Sequence, residues 1–325
     1  MHIPVLLETA VELWASLDKN RMVEPGIYVD ATFGGGGHSK RLLDYPKKEK
    51  DIVIVGIDRD SNQFQSSNVK FQREIENKRL YLYNDSFRNI VEIISSFQKK
   101  YKIKLPIRGI LFDFGISTNQ LQAGRGFSFR EEKALLDLRF SPDEKIPTAV
   151  DILNGWREEE LVRIFQEYGE ERYARKVARE IINERRQGKK IQKVADLLSI
   201  LKKTLFRAYQ RQKIHYATRV FQALRIAVND EYGNIQQGLE GALKILEKGG
   251  RITAISFHSG EDRLVKNFFR RESRDCLCPP NVPSCVCGHQ KSLQIITRKP
   301  LTPGPEEIER NPKVRSAKLR AAEKL

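Results

Sequence analysis

Short apolar runs alternate with amphipathic segments over the first third of the chain. Four of these runs are rich in β-branched and aromatic residues and reach a polar residue at or near their end: Ile27–Asp30, Ile52–Asp58, Leu80–Asp85 and Ile107–Phe114. Between the last two, Arg88–Tyr101 carries isoleucines and a phenylalanine three to four positions apart, as on one face of a helix. The alternation of strand and helix predicts a parallel sheet.

The strand pattern returns near the C-terminus. Arg251–Ser259 predicts a fifth buried strand, and two amphipathic helices, Thr218–Val228 and Ile235–Leu246, precede it. Leu293–Thr297 and Ser316–Ala321 can form a terminal antiparallel pair. We therefore predict an α/β fold, Rossmann-like, with a mostly parallel sheet that ends in an antiparallel pair.

A helical stretch separates the fourth and fifth predicted strands. From Asp151 to Gln212 the pattern is helical, and Tyr173, Val177 and Ile181 recur at four-residue spacing, as on one side of a helix. This predicts an inserted all-helical domain. We place it at residues 136–214, so that the sheet domain is made of residues 1–135 and 215–325.

The turn after the first strand has the shape of a ligand site. Asp30 ends the strand, and Gly34–Gly37 then lead into a segment that can start a helix, so main-chain N–H groups can face a ligand. The dinucleotide fingerprint G-x-G-x-x-G is incomplete, because Ser39 or Lys40 stands at its last position. An acid followed by glycines is the arrangement of S-adenosylmethionine enzymes. A plain tight turn is the alternative.

The next strand ends supply further candidate ligands. Asp58 lies about 20 residues past the glycine turn, where an acid binds ribose hydroxyls in doubly wound sheets. Asp85 and Phe87 follow the third strand and could meet the adenine amine and ring face. The alternatives are that Asp58 caps the next helix and that Phe87 is an ordinary core residue.

Methyl transfer to an exocyclic amine needs orientation and an acceptor for the amine N–H. The carboxylate of Asp113, or a carbonyl near Gly115–Ser117, is placed to serve, and His258 ends the fifth strand on the same rim. Phe127 and Phe129 are candidate stacking partners for a flipped base. Methylation of pyrimidine carbon 5 is disfavoured, because it needs a cysteine nucleophile and none lies near the first five strand ends.

The charge of the chain points to nucleic acid. The net charge is +16 and the pI is about 9.6, and such an excess repels itself unless a polyanion offsets it. Between Trp156 and Arg225 there are 18 Lys and Arg against 9 Asp and Glu, so the helical insert carries more than half of the excess. A basic enzyme without a nucleic-acid partner is the alternative. No long apolar run or leader is present, which predicts no membrane segment and a cytoplasmic location.

Cysteine is confined to one short stretch. Cys276, Cys278, Cys285, Cys287 and His289 form Cys-x-Cys-(x6)-Cys-x-Cys-x-His. Zinc knuckles favour two to four residues between paired ligands, so this spacing favours reduced thiols in a proline-rich loop over structural zinc. We accordingly assign no metal from the sequence and leave the zinc question open.

Many separate motifs, in order, resemble one known family nearly end to end. They are Met1–Leu7, Asp30–Ser39, Gly56–Asp60, Asp113–Leu121, Arg125–Phe129, Leu136–Arg139, Tyr168–Arg172, Ala217–Arg219, Ser256–Lys266 and Asn311–Arg320. Together they resemble the MraW-type bacterial ribosomal RNA small subunit methyltransferase H family, the 16S rRNA cytosine-N4 methyltransferases. Mild departures, such as Gly260 in Ser-Phe-His-Ser-Gly-Glu-Asp, leave the reaction class standing.

The resemblance implies a class I S-adenosylmethionine-dependent methyltransferase domain with an inserted helical RNA-binding domain. It implies methylation of the N4 amine of a cytidine in the decoding region of 16S rRNA, as naked RNA or in the small ribosomal subunit, and it leaves a homodimer open. The implied cofactor positions are Gly36, Gly37, His38, Asp58, Phe87, Asp113 and Gln120, and our candidate catalytic residues are Asp113, Ser117 and His258.

Two other classes of function remain at this stage. A nicotinamide-dependent reductase could use the same sheet, although the incomplete fingerprint disfavours it. A non-catalytic RNA-binding or assembly protein would account for the charge without any chemistry at Asp113.

Overall fold

A computed structural model describes residues 4–16, 22–45, 52–116, 121, 124–212, 214–279 and 284–325. It contains one seven-stranded sheet. The strands are β1 Gly26–Asp30, β2 Ile52–Asp58, β3 Leu80–Asn84, β4 Ile107–Asp113, β5 Arg251–Ser256, β6 Leu293–Ile295 and β7 Lys318–Lys324.

The order of strands across the sheet is β3-β2-β1-β4-β5-β7-β6. The first five strands along the chain pair in parallel, whereas β7 runs antiparallel to both β5 and β6. The predicted mostly parallel sheet with a terminal antiparallel pair is therefore confirmed. Because β1 lies between β2 and β4, the loops after these three strands leave the sheet side by side, which is where ligands bind in open α/β sheets.

The contacts within the chain divide it into two compact units. Met1–Gly115 and Tyr232–Leu325 form the sheet unit, and Ile116–Glu231 forms the helical unit. The predicted insert at residues 136–214 lies inside the helical unit, but the unit extends beyond both predicted ends. The reason is that Phe127 and Leu224, outside the predicted insert, belong to the helical unit's hydrophobic core.

The sheet unit packs helices on both faces of its sheet. They are α1 Leu7–Trp14, α2 Gly37–Leu43, α3 Ser61–Lys70, α4 Gln72–Glu76, α5 Ile90–Tyr101, α11 Glu231–Ile245, α12 Ser259–Glu272 and α13 Pro305–Arg310, with α11 starting at the last residue of the helical unit. Side chains alternate between faces along each strand. Accordingly, Ile27 and Val29 of β1 lie in the core that includes α5 and α12, whereas Tyr28 packs on the opposite side, edge-on to Trp14.

The helical unit contains five helices in its described part. They are α6 Ala149–Gly155, α7 Glu158–Glu167, α8 Ala174–Arg186, α9 Val194–Tyr209 and α10 Thr218–Asn229. The predicted stripe on α8 is confirmed at Val177 and Ile181, which are fully buried. Tyr173 is exposed instead, because it is the N-cap residue and precedes the first turn.

The side chains of Arg185 and Tyr209 make polar contacts that join segments of the helical unit. The guanidinium of Arg185 donates to backbone carbonyls at the end of α6, including those of Leu153 and Trp156, so it satisfies groups that a helix end leaves open. The hydroxyl of Tyr209 donates to the buried Glu171 Oε2 at 2.6 Å. Among the described helices, none combines the length and apolar character that crossing a bilayer requires.

Candidate active site

Three acidic side chains meet at the carboxyl edge of the sheet. Asp30 ends β1, Asp58 ends β2 and Asp113 ends β4. Asp30 is in register with Gly56 on one side and with Leu111 on the other, so the acids occupy adjacent strand ends. The structure therefore brings together the residues that the strand pattern had placed on one rim.

Asp58 fixes the glycine turn through its carboxylate. The Gly34 N–H donates to Asp58 Oδ2 at 2.8 Å, and the Asp60 N–H donates to Asp58 Oδ1 at 2.9 Å. The residue that caps α3 is Asp60, whose carboxylate accepts from the N–H groups of Asn62 and Gln63. The alternative that Asp58 serves as the helix cap is therefore wrong.

The glycine turn is tightly enclosed at one residue and open at the residue before it. Gly36 has φ +68°, and a Cβ there would lie 2.6 Å from the rings of Phe33 and Phe71. Gly35 has no atom within 4 Å of such a Cβ. The two neighbours therefore form a matched pair for testing the shape of the turn.

We expect Gly36→Ala to lower the free energy of unfolding by about 2–4 kcal/mol, from left-handed strain plus overpacking. Gly35→Ala should change it by less than about 0.5 kcal/mol. Urea unfolding of the ligand-free protein measures both. Equal destabilisation by the two substitutions would contradict the enclosed geometry described for Gly36.

His38 links the turn to β4. Its buried imidazole places Nε2 at 3.0 Å from the carbonyl oxygen of Val5 and Nδ1 at 3.9 Å from Asp113 Oδ2. The adjacent Gly37 leaves no room for a side chain, because a Cβ there would lie 2.2 Å from the Pro4 ring. Spacing along the sequence could not identify His38, whose position depends on the N-terminal segment folding over the turn.

Burial raises the pKa of two of the three acids to near neutrality. Asp30 accepts from the Ser39 hydroxyl at 2.7 Å, yet its removal from water raises its pKa to about 6. Removal from water also raises the pKa of Asp58 to about 7, with the charges of Asp60 and Asp30 adding to the effect. Clustered carboxyls of this kind favour a cationic ligand.

Asp113 is the third acid of the rim, and its pKa is also raised. Removal from water raises its pKa well above the usual value, and the charges of Asp30 and Glu261 raise it further. Its backbone N–H donates to Thr32 Oγ1 at 2.6 Å, but its buried Oδ1 has no partner within the described parts of the chain. A buried acceptor without a donor costs free energy and is suited to a ligand that donates a hydrogen bond.

Asp85 and Phe87 lie at the end of β3 as predicted. Asp85 Oδ1 accepts from the Ser86 N–H and the Asn89 side chain, which leaves its other oxygen for further contacts. The half-buried Phe87 ring packs on Phe112, with ring centroids 5.6 Å apart. Phe87 therefore makes core contacts, and its contact with an adenine ring stays a prediction.

His258 caps α12 at the end of β5. Its Nδ1 accepts from the Glu261 N–H at 3.5 Å, and its Nε2 lies 3.1 Å from Glu261 Oε1. Glu261 is completely buried and also accepts from the Phe257 N–H at 2.7 Å. Glu261 was missed in the sequence analysis, although an acid three residues after a helix cap is a recognisable capping-box signal.

The remaining candidates fall elsewhere. Ser117 and Gln120 lie outside the described residues. Phe127 is buried in the core of the helical unit and stacks on Phe140, so its contacts in the structure are packing contacts, and its stacking on a base stays a prediction. The half-buried Phe129 stacks on His215 at 4.5 Å between ring centroids.

Comparison with known proteins adds the family. Residues 1–325 match the model of the MraW methylase family. The chain is 44% identical to the ribosomal RNA small subunit methyltransferase H of Carboxydothermus hydrogenoformans, over all of this chain and 98% of that protein. The proteins of the same name from Heliobacterium mobile and Caldicellulosiruptor bescii are 42% and 44% identical, each over all of this chain and 99% of the relative.

These matches confirm the family resemblance, the methyltransferase class and S-adenosylmethionine as the methyl donor. The alternative of a nicotinamide-dependent reductase is wrong. The fold, the acidic rim and the match over the full length lead to one conclusion: the chain belongs to the MraW methylase family.

Proposed function

We propose that the protein transfers the methyl group of S-adenosylmethionine to the exocyclic N4 amine of a cytidine in the decoding region of 16S rRNA. The observation that carries the proposal is a buried oxygen of Asp113 that has no hydrogen-bond partner among the described residues and lies beside two further acids on the rim. The relatives matched over nearly their whole length support the substrate class, because each is named for the RNA of the small ribosomal subunit.

The chain's own groups suit this methyl donor. Asp58 would accept from the ribose hydroxyls, and the glycine turn, with Gly36, Gly37 and His38, would face the cationic end near Asp30. We assign Phe87 and Gln120 to the adenosyl group by the family motif. When bound, S-adenosylmethionine supplies an electrophilic methyl group on a positively charged sulfur.

Asp113 is our acceptor for the target amine. The amine lone pair is delocalised into the cytosine ring, and an oxygen that accepts one amine N–H makes the nitrogen a better nucleophile. As the nitrogen–carbon bond forms and the carbon–sulfur bond breaks, the nitrogen loses a proton. The raised pKa of Asp113 suits its carboxylate to receive that proton. We assign Ser117, from its position in the sequence, as a second candidate acceptor and His258 as a residue that positions α12.

The direct test is transfer of a labelled methyl group from S-adenosylmethionine to 16S rRNA or small subunits that lack this modification. Nuclease digestion should recover the label in N4-methylcytidine. Label on another base would overturn the substrate assignment. Full biological function of an Asp113→Ala protein would instead favour the non-catalytic RNA-binding alternative.

We propose that the helical unit binds RNA phosphate. Arg172, Arg175 and Arg186 are exposed on or next to α8, and many other lysines and arginines surround them in the sequence. Neutralised phosphates release counterions, so such a surface should bind RNA more weakly as salt increases.

We expect the double variant Arg172→Ala, Arg175→Ala to weaken binding of 16S rRNA about 5- to 30-fold at moderate salt and to reduce the salt dependence. Its affinity for S-adenosylmethionine should not change. The matched control removes two exposed lysines of the sheet unit, Lys99→Ala and Lys100→Ala. Filter binding at several salt concentrations measures the RNA affinity of both variants. Equal losses of affinity would mean that RNA binds to positive charge spread over the whole protein and not to a surface of the helical unit.

The cytoplasmic location, the absence of membrane association and the oligomeric state remain predictions. Light scattering coupled to gel filtration, with and without RNA, tests whether the protein forms a homodimer.

A further inference from the structure

The four cysteines lie in one loop that is closed at its base. The loop leaves α12 after Glu272 and enters β6 after Ser292. The Ser292 N–H donates to the carbonyl of Glu272 at 2.9 Å, and the Ser292 hydroxyl donates to Glu272 Oε2 at 3.0 Å. His289 adds a contact, with Nε2 3.1 Å from the carbonyl oxygen of Arg271. This imidazole nitrogen is thus directed to the base of the loop.

The sulfur atoms form a compact group. The Sγ atom of Cys276 lies 3.4 Å from that of Cys285 and 3.8 Å from that of Cys287, and the last two are 3.6 Å apart. With Cys278 included, all four ligand atoms lie within 4.8 Å of one another. The cysteines are free thiols, and these separations far exceed a disulfide bond of about 2.05 Å.

The separations match a single tetrahedral metal ion. Zinc–sulfur bonds of about 2.3 Å place neighbouring sulfurs of a tetrahedron about 3.8 Å apart. We propose that Cys276, Cys278, Cys285 and Cys287 bind one structural zinc ion through four thiolates. An iron–sulfur cluster fits less well, because its several iron atoms would hold the cysteine sulfurs farther apart.

The backbone around the sulfurs supports the thiolate form. The Leu277 N–H donates to Cys287 Sγ at 3.3 Å, and the Val286 N–H donates to Cys278 Sγ at 3.4 Å. Thus the residue between Cys276 and Cys278 donates to the second pair of cysteines, and the residue between Cys285 and Cys287 donates to the first pair. Hydrogen bonds to a ligand sulfur stabilise its negative charge and orient it toward the metal.

The loop has little else to hold its conformation. From Ser273 to Ser292, no residue that the structure describes is buried, and none belongs to a helix or strand. Val286, between two of the cysteines, is 81% exposed. A segment that buries so little apolar surface needs a cross-link or a metal to stay ordered. The three-dimensional arrangement therefore favours zinc, whereas the short Cys-x-Cys spacing taken alone favoured reduced thiols.

The test is the metal content of the full-length protein, expressed with zinc and purified in reducing buffer without chelator. We expect about one zinc per chain. The double variant Cys276→Ser, Cys278→Ser should hold less than about a tenth of that amount, whereas the matched loop control Val286→Ala should keep it all. Circular dichroism and S-adenosylmethionine binding show whether the sheet unit of the double variant is still folded.

A second measurement does not depend on that variant folding. Wild-type protein stripped of zinc should take up one Co²⁺ and show the sulfur-to-cobalt charge-transfer absorption of a tetrahedral tetrathiolate site. Four titratable free thiols without metal, two disulfides, one iron in place of zinc, or unchanged zinc in the double variant would each overturn the proposal.

Discussion

Replacing Asp113 with asparagine is expected to lower kcat for methyl transfer by about 10²- to 10³-fold. Asparagine has nearly the same shape, but its amide cannot take a proton and carries no charge to orient the amine. The expected loss therefore falls on kcat, with a smaller change in the affinity for S-adenosylmethionine. Single-turnover transfer to 16S rRNA at saturating methyl donor measures it.

The same substitution should stabilise the ligand-free protein at high pH. Burial raises the folded-state pKa of Asp113 above its unfolded value, so ionising this acid costs stability as the pH rises through the folded-state pKa. Asparagine does not titrate and avoids that cost. We expect a Tm above that of the wild type by roughly a few degrees at pH 8, and a smaller difference at pH 5.

The control for Asp113→Asn is Asp44→Asn, which removes an exposed carboxylate from the same unit. It should leave both kcat and Tm near wild-type values. An Asp113→Asn protein with normal turnover would exclude Asp113 as the acceptor, whatever its effect on stability.

Replacing Asp58 with alanine should weaken binding of S-adenosylmethionine by about 10- to 100-fold. The charge-assisted hydrogen bonds that a carboxylate makes to a ribose diol are worth about 1.5–3 kcal/mol, and the substitution also frees the Gly34 N–H. Isothermal calorimetry measures the change in affinity.

A matched substitution separates the two causes of the loss. The Ser67 hydroxyl donates to the carbonyl of Gly34 at 2.9 Å, so Ser67→Ala loosens the same turn without removing the carboxylate. We expect it to weaken binding less than about threefold. A loss equal to that of Asp58→Ala would mean that the carboxylate acts only by holding the turn.

The pKa of Asp58 also predicts how the affinity for the ligand depends on pH. Its value of about 7 means that most of the carboxyl is ionised at pH 8 and little at pH 6. Since the ribose hydroxyls prefer the ionised form, the affinity for adenosine, which has no titrating group in this range, should fall about tenfold from pH 8 to pH 6. Asp58→Asn should abolish most of this dependence.

The strands and the acidic rim were predictable because their signals are local. A run such as Ile52–Asp58 carries its own evidence of burial, and the end of a strand is visible where the apolar run stops. Parallel pairing then places Asp30, Asp58 and Asp113 on one edge without knowledge of any side-chain contact.

Other features depend on contacts between residues far apart in sequence. His38 is held by the carbonyl of Val5, and the N-terminal limit of the helical unit depends on Phe127 joining its core. Neither contact produces a periodic pattern in the amino-acid sequence. The clustering of the four cysteines also escapes sequence analysis, since ligand spacing along the chain does not show that two short pairs converge on one point.

The position of the helical unit between β4 and β5 has a consequence for biosynthesis. Gly109 of β4 pairs with Arg251 of β5. Because the whole helical unit is translated between these two strands, the edge of β4 that pairs with β5 has no partner strand until β5 has been made. The helical unit is one continuous segment of the chain, which favours its co-translational folding before β5 is made. The acidic rim can be completed only afterwards, when β5 pairs with β4 and brings Ile255 into register with Asp113.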